Sequence, residues 1–182
     1  MTVRLTPHPD TPCEALDRIE VEVTRPRPQG LALRFEGTGD IGRLVLPAWV
    51  RRSRADELWR STCFEAFIAD GRGGYHEFNL SPSGQWAAYG FSGYRLGMEP
   101  HAGVELRDLA RGGDGKTFTL AATLDLDRLG LPVDRPWRLG LSAVIEEASG
   151  AKSYWALAHA PGKPDFHHPD AFALDLPPLE SA

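Results

Sequence analysis

The stretch that decides the fold runs from Asp56 to Phe91 and reads DELWRSTCFEAFIADGRGGYHEFNLSPSGQWAAYGF. It contains three segments in which residue types alternate, separated by turns rich in Gly, Pro, Asp and Ser. In chain order, segments and turns occupy 62–68, 70–74, 75–80, 81–84 and 85–89. A period of two residues between such turns is typical of strands joined by tight connections. The sequence therefore predicts an antiparallel three-stranded meander.

Side-chain alternation divides this meander into two faces, because successive residues of a strand point to opposite sides of the sheet. The face that we expect to pack in the core carries Phe64, Ala66, Ile68, Phe78 and Leu80. The other face carries two carboxylates, an amide and two rings, namely Glu65, Phe67, Tyr75, Glu77 and Asn79. With the first turn centred on Gly71, Glu65 and Glu77 would stand directly opposite each other. This mixed second face is the functional signal in the sequence.

The rest of the chain also consists of short segments that read as strands. They lie at 18–24, 31–35, 43–46, 104–107, 116–126, 137–146, 153–158 and 172–176. Residues 1–12 contain three prolines and predict at most an edge strand. No long helix is evident, and 19 glycines and 15 prolines punctuate the chain. The sequence predicts one domain over residues 1–182, an all-β antiparallel β-sandwich of about ten strands in a jelly-roll or Greek-key arrangement.

Composition narrows the class of protein. Of 182 residues, 42% are hydrophobic and 25% are charged, as in ordinary globular proteins. The formal net charge of -5 argues against a nucleic-acid-binding surface, which is normally basic. No stretch suits a membrane span or a secretory signal. Because Cys13 and Cys63 are too few for a disulfide framework, we expect reduced thiols and a cytoplasmic protein. The oligomeric state stays open.

Three segments resemble the DOMON-like domains that are related to family 9 carbohydrate-binding modules. They are a tryptophan-containing loop and strand at 56–67, a Tyr-x-Glu-Phe strand ending in Ser-Pro-x-Gly at 75–84, and a closing strand at 172–176. The resemblance implies a β-sandwich that binds a sugar or, in other branches, haem, and it implies no catalysis. Members that bind sugars clamp them between aromatic rings, whereas members that bind haem use a Met and a His as axial ligands.

A sugar site needs flat rings for the apolar faces of a pyranose and planar polar groups for its hydroxyls. The candidate rings are Trp59, Trp86, Tyr89 and Trp155, and the candidate polar partners are Arg60, Glu65, Glu77 and Asn79. His167 is a further candidate ligand contact, from the His-, Pro- and Asp-rich segment 159–170. The competing interpretation is that Trp86 and Trp155 pack in the core, where large aromatic residues usually lie. We predict non-catalytic binding of a small polar ligand, a sugar or a sugar-containing metabolite.

Several alternatives stay open. Glu65 and Glu77, if opposite, could form the carboxylate pair of a glycoside hydrolase, nearer to the retaining separation than to the inverting one. Exposed aromatic residues could instead meet a protein partner. Haem would need Met98 or Met1 as one ligand and a histidine as the other, and the sequence does not select among His76, His101, His159, His167 and His168. Calcium would need a carboxylate-rich loop that the sequence does not identify. We predict no cofactor.

Overall fold

A computed structural model describes residues 1–179, which form thirteen strands and three short 3₁₀ turns. The strands β1 to β13 are Thr2–Pro7, Leu16–Thr24, Gly30–Gly39, Ser53–Arg54, Cys63–Ala69, Tyr75–Leu80, Gln85–Phe91, Glu99–Pro100, Glu105–Gly113, Thr117–Asp125, Trp137–Glu146, Lys152–Ala156 and Leu174–Leu176. The 3₁₀ turns are Ile41–Arg43, Leu58–Arg60 and Pro169–Ala171. Within the described residues, no helix has the length and apolar character needed to cross a membrane.

The strands form one mixed sheet. Its main path runs β4-β7-β6-β5-β11-β12-β1-β2-β3-β10-β9, with β13 beside β11 and β8 beside β7. The prediction of an all-β fold is confirmed, but a purely antiparallel sheet is wrong, because β4 pairs with β7 in parallel. The long connection between β3 and β5 brings this two-residue strand alongside β7. Such two-residue strands also raise the count above the predicted ten.

Strand β1 joins the two halves of the sheet. Its residues 2–5 pair with β2, whereas residues 6–7 pair with β12. The prediction of an edge strand is therefore wrong. The reason is that only Pro7 falls within the strand, at its last position, while Pro9 and Pro12 lie beyond it.

The sheet curls so that its two halves pack face to face around one core. Phe64 of β5 contacts Phe35 of β3 and Phe118 of β10, with ring centroids 5.0 and 5.7 Å apart. The five residues predicted to face inward from the meander are all buried in this core. Each of the four large ones, which are all except Ala66, contributes about 1.5–3 kcal/mol when it is fully buried. The two-face interpretation of the meander is confirmed on its apolar side.

The other face of β5, β6 and β7 is also covered. Its aromatic residues form a second apolar cluster with two residues of the connection between β12 and β13, Phe166 and Phe172. The ring of Phe67 on β5 lies 5.9 Å from that of Phe172. We call the connection, residues 157–173, the covering segment. It turns a sheet face that would otherwise meet solvent into the floor of a cavity.

Candidate functional site

A cavity of about 370 Å³ lies between the sheet and the covering segment. This volume is within the range of small-molecule sites. Its lining comes from both sides, namely Trp59, Glu65, Glu77, Phe91, Arg95, Met98, Val144, Tyr154, Pro164, Phe166 and His167. Of the residues predicted from sequence, the structure brings Trp59, Glu65, Glu77 and His167 together here. The floor is acidic and the walls are largely aromatic.

The register of β5 and β6 places the two carboxylates diagonally. Glu65 pairs with Asn79, and Glu77 pairs with Phe67, so Glu65 and Glu77 share a face but are not directly opposite. The predicted direct opposition is wrong because the connection is centred on Arg72, one residue beyond Gly71. There the Asp70 carboxylate accepts hydrogen bonds from the backbone N–H groups of Arg72 and Gly74 at 2.7 and 3.0 Å. Diagonal neighbours remain within reach of long side chains.

Both carboxylates are buried, with residue exposures of 3% for Glu65 and 4% for Glu77. Ser142 of β11 donates its hydroxyl to Glu65 Oε2 at 3.2 Å. Asn79 donates its amide to Glu77 Oε1 at 2.6 Å. Among the described residues, Glu65 Oε1 and Glu77 Oε2 receive no hydrogen bond. Each acid is thus held by one oxygen, which leaves the other for a ligand.

Burial changes the protonation of this pair. Burial first, and the negative charge of Glu77 second, raise the pKa of Glu65 to about 8, against the hydrogen bond from Ser142 and the charge of Arg95. Burial also raises the pKa of Glu77 to about 7, against the hydrogen bond from Asn79 and the charge of Arg95. Because the two acids interact, they titrate as a pair. Near neutral pH the cavity floor therefore carries a carboxylic acid beside a carboxylate and can both donate and accept hydrogen bonds.

His167 forms the wall nearest to Glu77. Its Nδ1 shares a hydrogen bond of 2.7 Å with the Tyr75 hydroxyl, and its Nε2 lies 3.9 Å from Glu77 Oε2. Burial first, and the charge of Arg95 second, lower the pKa of His167 to about 4, against the charge of Asp165. The ring is therefore neutral at neutral pH and does not compensate the carboxylates.

Arg95 stands at the cavity wall but is already paired. Its guanidinium donates to Asp165 Oδ1 at 2.8 Å, and its backbone N–H donates to the Tyr75 hydroxyl at 3.2 Å. Asp165 also accepts a hydrogen bond from Tyr94. Arg95 has a φ of 55°, a left-handed conformation that is uncommon outside glycine. This ion pair anchors the loop after β7 to the covering segment.

Trp59 is the predicted ring that lines the cavity while remaining partly exposed, at 36%. It projects from the 3₁₀ turn Leu58–Arg60 and packs edge-on against Tyr89, with centroids 6.2 Å apart. Tyr89 itself is buried and donates its hydroxyl to Asp56 at 2.6 Å. It supports Trp59 and does not line the cavity.

Two predicted stacking rings face the core. Trp86 and Trp155 belong to the main core cluster and are 8% and 2% exposed. The prediction that these two rings stack on a ligand is therefore wrong, and the competing interpretation, that they pack in the core, is the one that the structure shows. Strand alternation is the reason, since the cavity side of β7 carries Phe91 and that of β12 carries Tyr154.

The two remaining predicted polar partners do not line the cavity either. Asn79 is fully buried beneath the floor and positions Glu77 through the hydrogen bond given above. Arg60 is an exposed residue whose guanidinium pairs with Glu57 at 2.6 Å. The prediction that Arg60 contacts the ligand is therefore wrong. Arg60 forms a surface ion pair instead, because successive residues of the 3₁₀ turn point in different directions and only Trp59 points towards the cavity.

Seven lining residues were not among the predicted sugar contacts, namely Phe91, Arg95, Met98, Val144, Tyr154, Pro164 and Phe166. Of these, Met98 was named only as a possible haem ligand. Strand alternation could have found Phe91 and Tyr154, since Phe91 lies on the opposite face of β7 from Trp86 and Ala88, and Tyr154 lies on the opposite face of β12 from Trp155. No local signal marks Arg95, Pro164 or Phe166. Their place depends on how loops fold over the sheet.

The same cavity holds the residue types that haem ligation would use, Met98 and His167. Nδ1 of His167 is engaged by the Tyr75 hydroxyl, and its Nε2 lies 3.9 Å from Glu77 Oε2. No group of three or more His, Cys, Asp or Glu side chains within residues 1–179 is arranged to hold a metal ion.

No protein-family model matches the chain, and no curated protein matches its sequence. Solved structures do share its fold. A "putative carbohydrate-binding protein" from Bacteroides uniformis ATCC 8492 aligns with a TM-score of 0.67 and 11% identity, over 98% of this chain and 86% of that one. A family 9 carbohydrate-binding module from Caldicellulosiruptor kristjanssonii in complex with glucose aligns with a TM-score of 0.57 and 7% identity, over 94% and 81%. A family 9 carbohydrate-binding module from Caldicellulosiruptor kristjanssonii in complex with cellotriose aligns with a TM-score of 0.52 and 8% identity, over 88% of this chain and 75% of that one. Identities this low show a shared fold alone.

Proposed function

We propose that this chain, a domain with the fold of family 9 carbohydrate-binding modules, binds a small sugar non-covalently in the cavity beneath the covering segment. The DOMON part of the resemblance stays a prediction, as does the jelly-roll or Greek-key sandwich. A cytoplasmic site of action, without a cofactor, belongs to the same proposal. Cys13 and Cys63 are both free, as a reducing compartment would keep them.

The observation that carries the proposal is the buried acidic floor. Glu65 and Glu77 are almost fully buried, yet each leaves one oxygen without a hydrogen bond from the described residues. Both oxygens remain accessible from the cavity, since neither is among the fully buried polar atoms without a partner in the described residues. Sugar hydroxyls can satisfy these oxygens, because a hydroxyl both donates and accepts.

The cavity walls suit the apolar faces of a sugar ring. Trp59, Phe91, Tyr154 and Phe166 line the cavity together with the carboxylates and offer apolar ring surface. Polar groups fixed at the floor and aromatic surface at the sides are the usual composition of a small-molecule site. The neighbours solved with glucose and cellotriose support a sugar as the ligand.

The proposal can be tested by isothermal titration calorimetry with glucose and cellotriose, supported by thermal shift. A sugar at a hundredfold excess over its dissociation constant should add about 2.7 kcal/mol to the free energy of unfolding. The variant Trp59→Ala should weaken binding. Trp49→Ala is the matched control, because Trp49 is a similarly exposed tryptophan, at 44%, that does not line the cavity. Equal losses from both variants, or no sugar binding at all, would contradict the proposal.

One observation favours a second candidate function, glycoside hydrolysis. A general acid needs a raised pKa, and burial raises the pKa of both Glu65 and Glu77. Under this alternative, 4-nitrophenyl glycosides should release nitrophenol, and Glu65→Gln should abolish the release. Binding of the glycosides without any release would favour the non-catalytic function.

A further inference from the structure

The cavity has an imbalance of charge. Its acidic lining groups are Glu65 and Glu77, and its basic lining groups are Arg95 and His167. Arg95 is engaged by Asp165, and His167 is neutral at neutral pH because burial lowers its pKa. No other Lys, Arg or His lines the cavity. The two buried acids therefore lack a cation of their own within the described chain.

The groups packed around the acids from every side confirm this imbalance. Beside Arg95 and His167, they are the neutral side chains Asn79, Ser142 and Tyr75, the thiol of Cys63, and Tyr89, which pairs with Glu77 across β6 and β7 and whose pKa is raised by burial. Burial raises the pKa of the Cys63 thiol and of the Tyr75 hydroxyl, so both stay neutral. A buried carboxylate without a cationic partner is unfavourable as the ion. Protonation relieves this cost in the free protein, and a cationic ligand would relieve it in the complex.

The walls also favour a cation. Aromatic faces attract an ammonium group through their quadrupoles, most strongly where water is excluded. Four rings, those of Trp59, Phe91, Tyr154 and Phe166, line the same cavity as the two carboxylates. Carboxylates and aromatic rings that line one cavity attract a positive charge more strongly than a neutral hydroxyl.

We propose that the ligand carries an ammonium group held between Glu65 and Glu77, so that the cavity selects an amino sugar over the corresponding neutral sugar. The inference rests on the proposed function, since it names the class of sugar for the same cavity. The ammonium group would donate hydrogen bonds to Glu65 Oε1 and Glu77 Oε2. The sugar ring would lie against Trp59 and its neighbours.

Calorimetry at pH 7 with three matched sugars tests this inference. D-Glucosamine should bind at least about tenfold more tightly than D-glucose, and N-acetyl-D-glucosamine, which has no charge, should behave like glucose or worse. Propylamine is the fourth probe and separates the ammonium group from the sugar ring. Glu77→Gln should remove the preference for glucosamine, whereas Glu22→Gln, an exposed strand glutamate, should keep it.

A measurement on the unaltered protein tests the same inference without depending on whether the variants fold. An ammonium ion favours the ionised carboxylates, so glucosamine binding should release protons from the pair, and its affinity should rise between pH 5 and pH 7. Titrations in two buffers of different ionisation enthalpy measure this release. Glucose should bind without it.

The outcomes separate the two proposals. Equal affinity for glucose and glucosamine, or glucosamine binding without proton release, would overturn the ammonium inference and leave the sugar-binding function standing. Propylamine binding as tightly as glucosamine would uphold the ammonium group but overturn the sugar. If none of the four probes binds, both proposals fail.

Discussion

Replacing Glu65 with Gln should stabilise the protein at pH 8 and leave its stability at pH 5 nearly unchanged. At pH 5 the folded protein holds Glu65 as a neutral acid, and Gln is a neutral group of the same shape. Ser142 can still donate to the remaining carbonyl oxygen. At pH 8 the native acid loses its proton in a buried site, whereas Gln has none to lose.

The sign follows from linkage between folding and proton binding. Because the pKa of Glu65 rises from 4.5 to about 8 on folding, the folded state binds more protons between these values. Its contribution is therefore full below pH 4.5 and is lost as the pH rises through about 8. At about 1.4 kcal/mol for each pKa unit, the complete loss is about 5 kcal/mol. We expect Glu65→Gln to recover about 2 kcal/mol or more at pH 8, since a buried amide keeps a desolvation cost of its own.

Urea denaturation followed by tryptophan fluorescence at pH 5, 6, 7 and 8 measures this effect. The difference between variant and parent is the quantity to compare, because His76 and His167 titrate in both proteins and cancel. Glu22→Gln is the control, since Glu22 is exposed on β2. Parallel stability curves for the parent and Glu65→Gln across this range would refute a buried acid that is protonated at neutral pH.

Three further substitutions probe the fold around the site. Trp155→Phe should lower the free energy of unfolding by about 1–2 kcal/mol, because it loses packing and the hydrogen bond to Ser153. Sugar affinity measured by calorimetry should stay unchanged, and weaker sugar binding would show that Trp155 contacts the ligand. Gly74→Ala should destabilise the protein by about 2 kcal/mol or more in urea, because the new Cβ would collide with the Phe91 carbonyl; an unaffected midpoint would contradict that contact. Phe64→Ala should cost about 3–5 kcal/mol, as for other large core residues, and a loss under 1 kcal/mol would argue against the contact between the two halves of the sheet.

The two faces of the meander could be predicted because strand alternation is a local property. Phe64, Phe78 and the other apolar residues on their face of the meander lie in the core. Glu65 and Glu77 lie on the opposite face, as the period of two requires. The register could not be predicted in the same way. Asp70 selects the centre of the connection through hydrogen bonds to its own loop, and this moved the pairing partner of Glu65 from Glu77 to Asn79.

For the candidate stacking rings, too, part of the outcome follows from local sequence and part only from the tertiary structure. Alternation along β7 and β12 was enough to separate Trp86 and Trp155 from the cavity, once the core face of each strand was known. Residue type alone could not do so, because a tryptophan suits a core and a ligand site equally well. Trp59 could be suggested from sequence, but only its support by Tyr89 and its place at the rim distinguish it from Trp49.

By itself, the sequence determined an all-β chain, the two faces of its central meander and the presence of two acids on the face away from the core. These features follow from side-chain period and turn chemistry, which act within a few residues. Only the tertiary structure decided that this face is a cavity, since Arg95, Phe166 and His167 reach it from segments distant in sequence. Enclosure by these segments removes water from Glu65 and Glu77, and that loss of water raises their pKa values and makes the pair a candidate binding site.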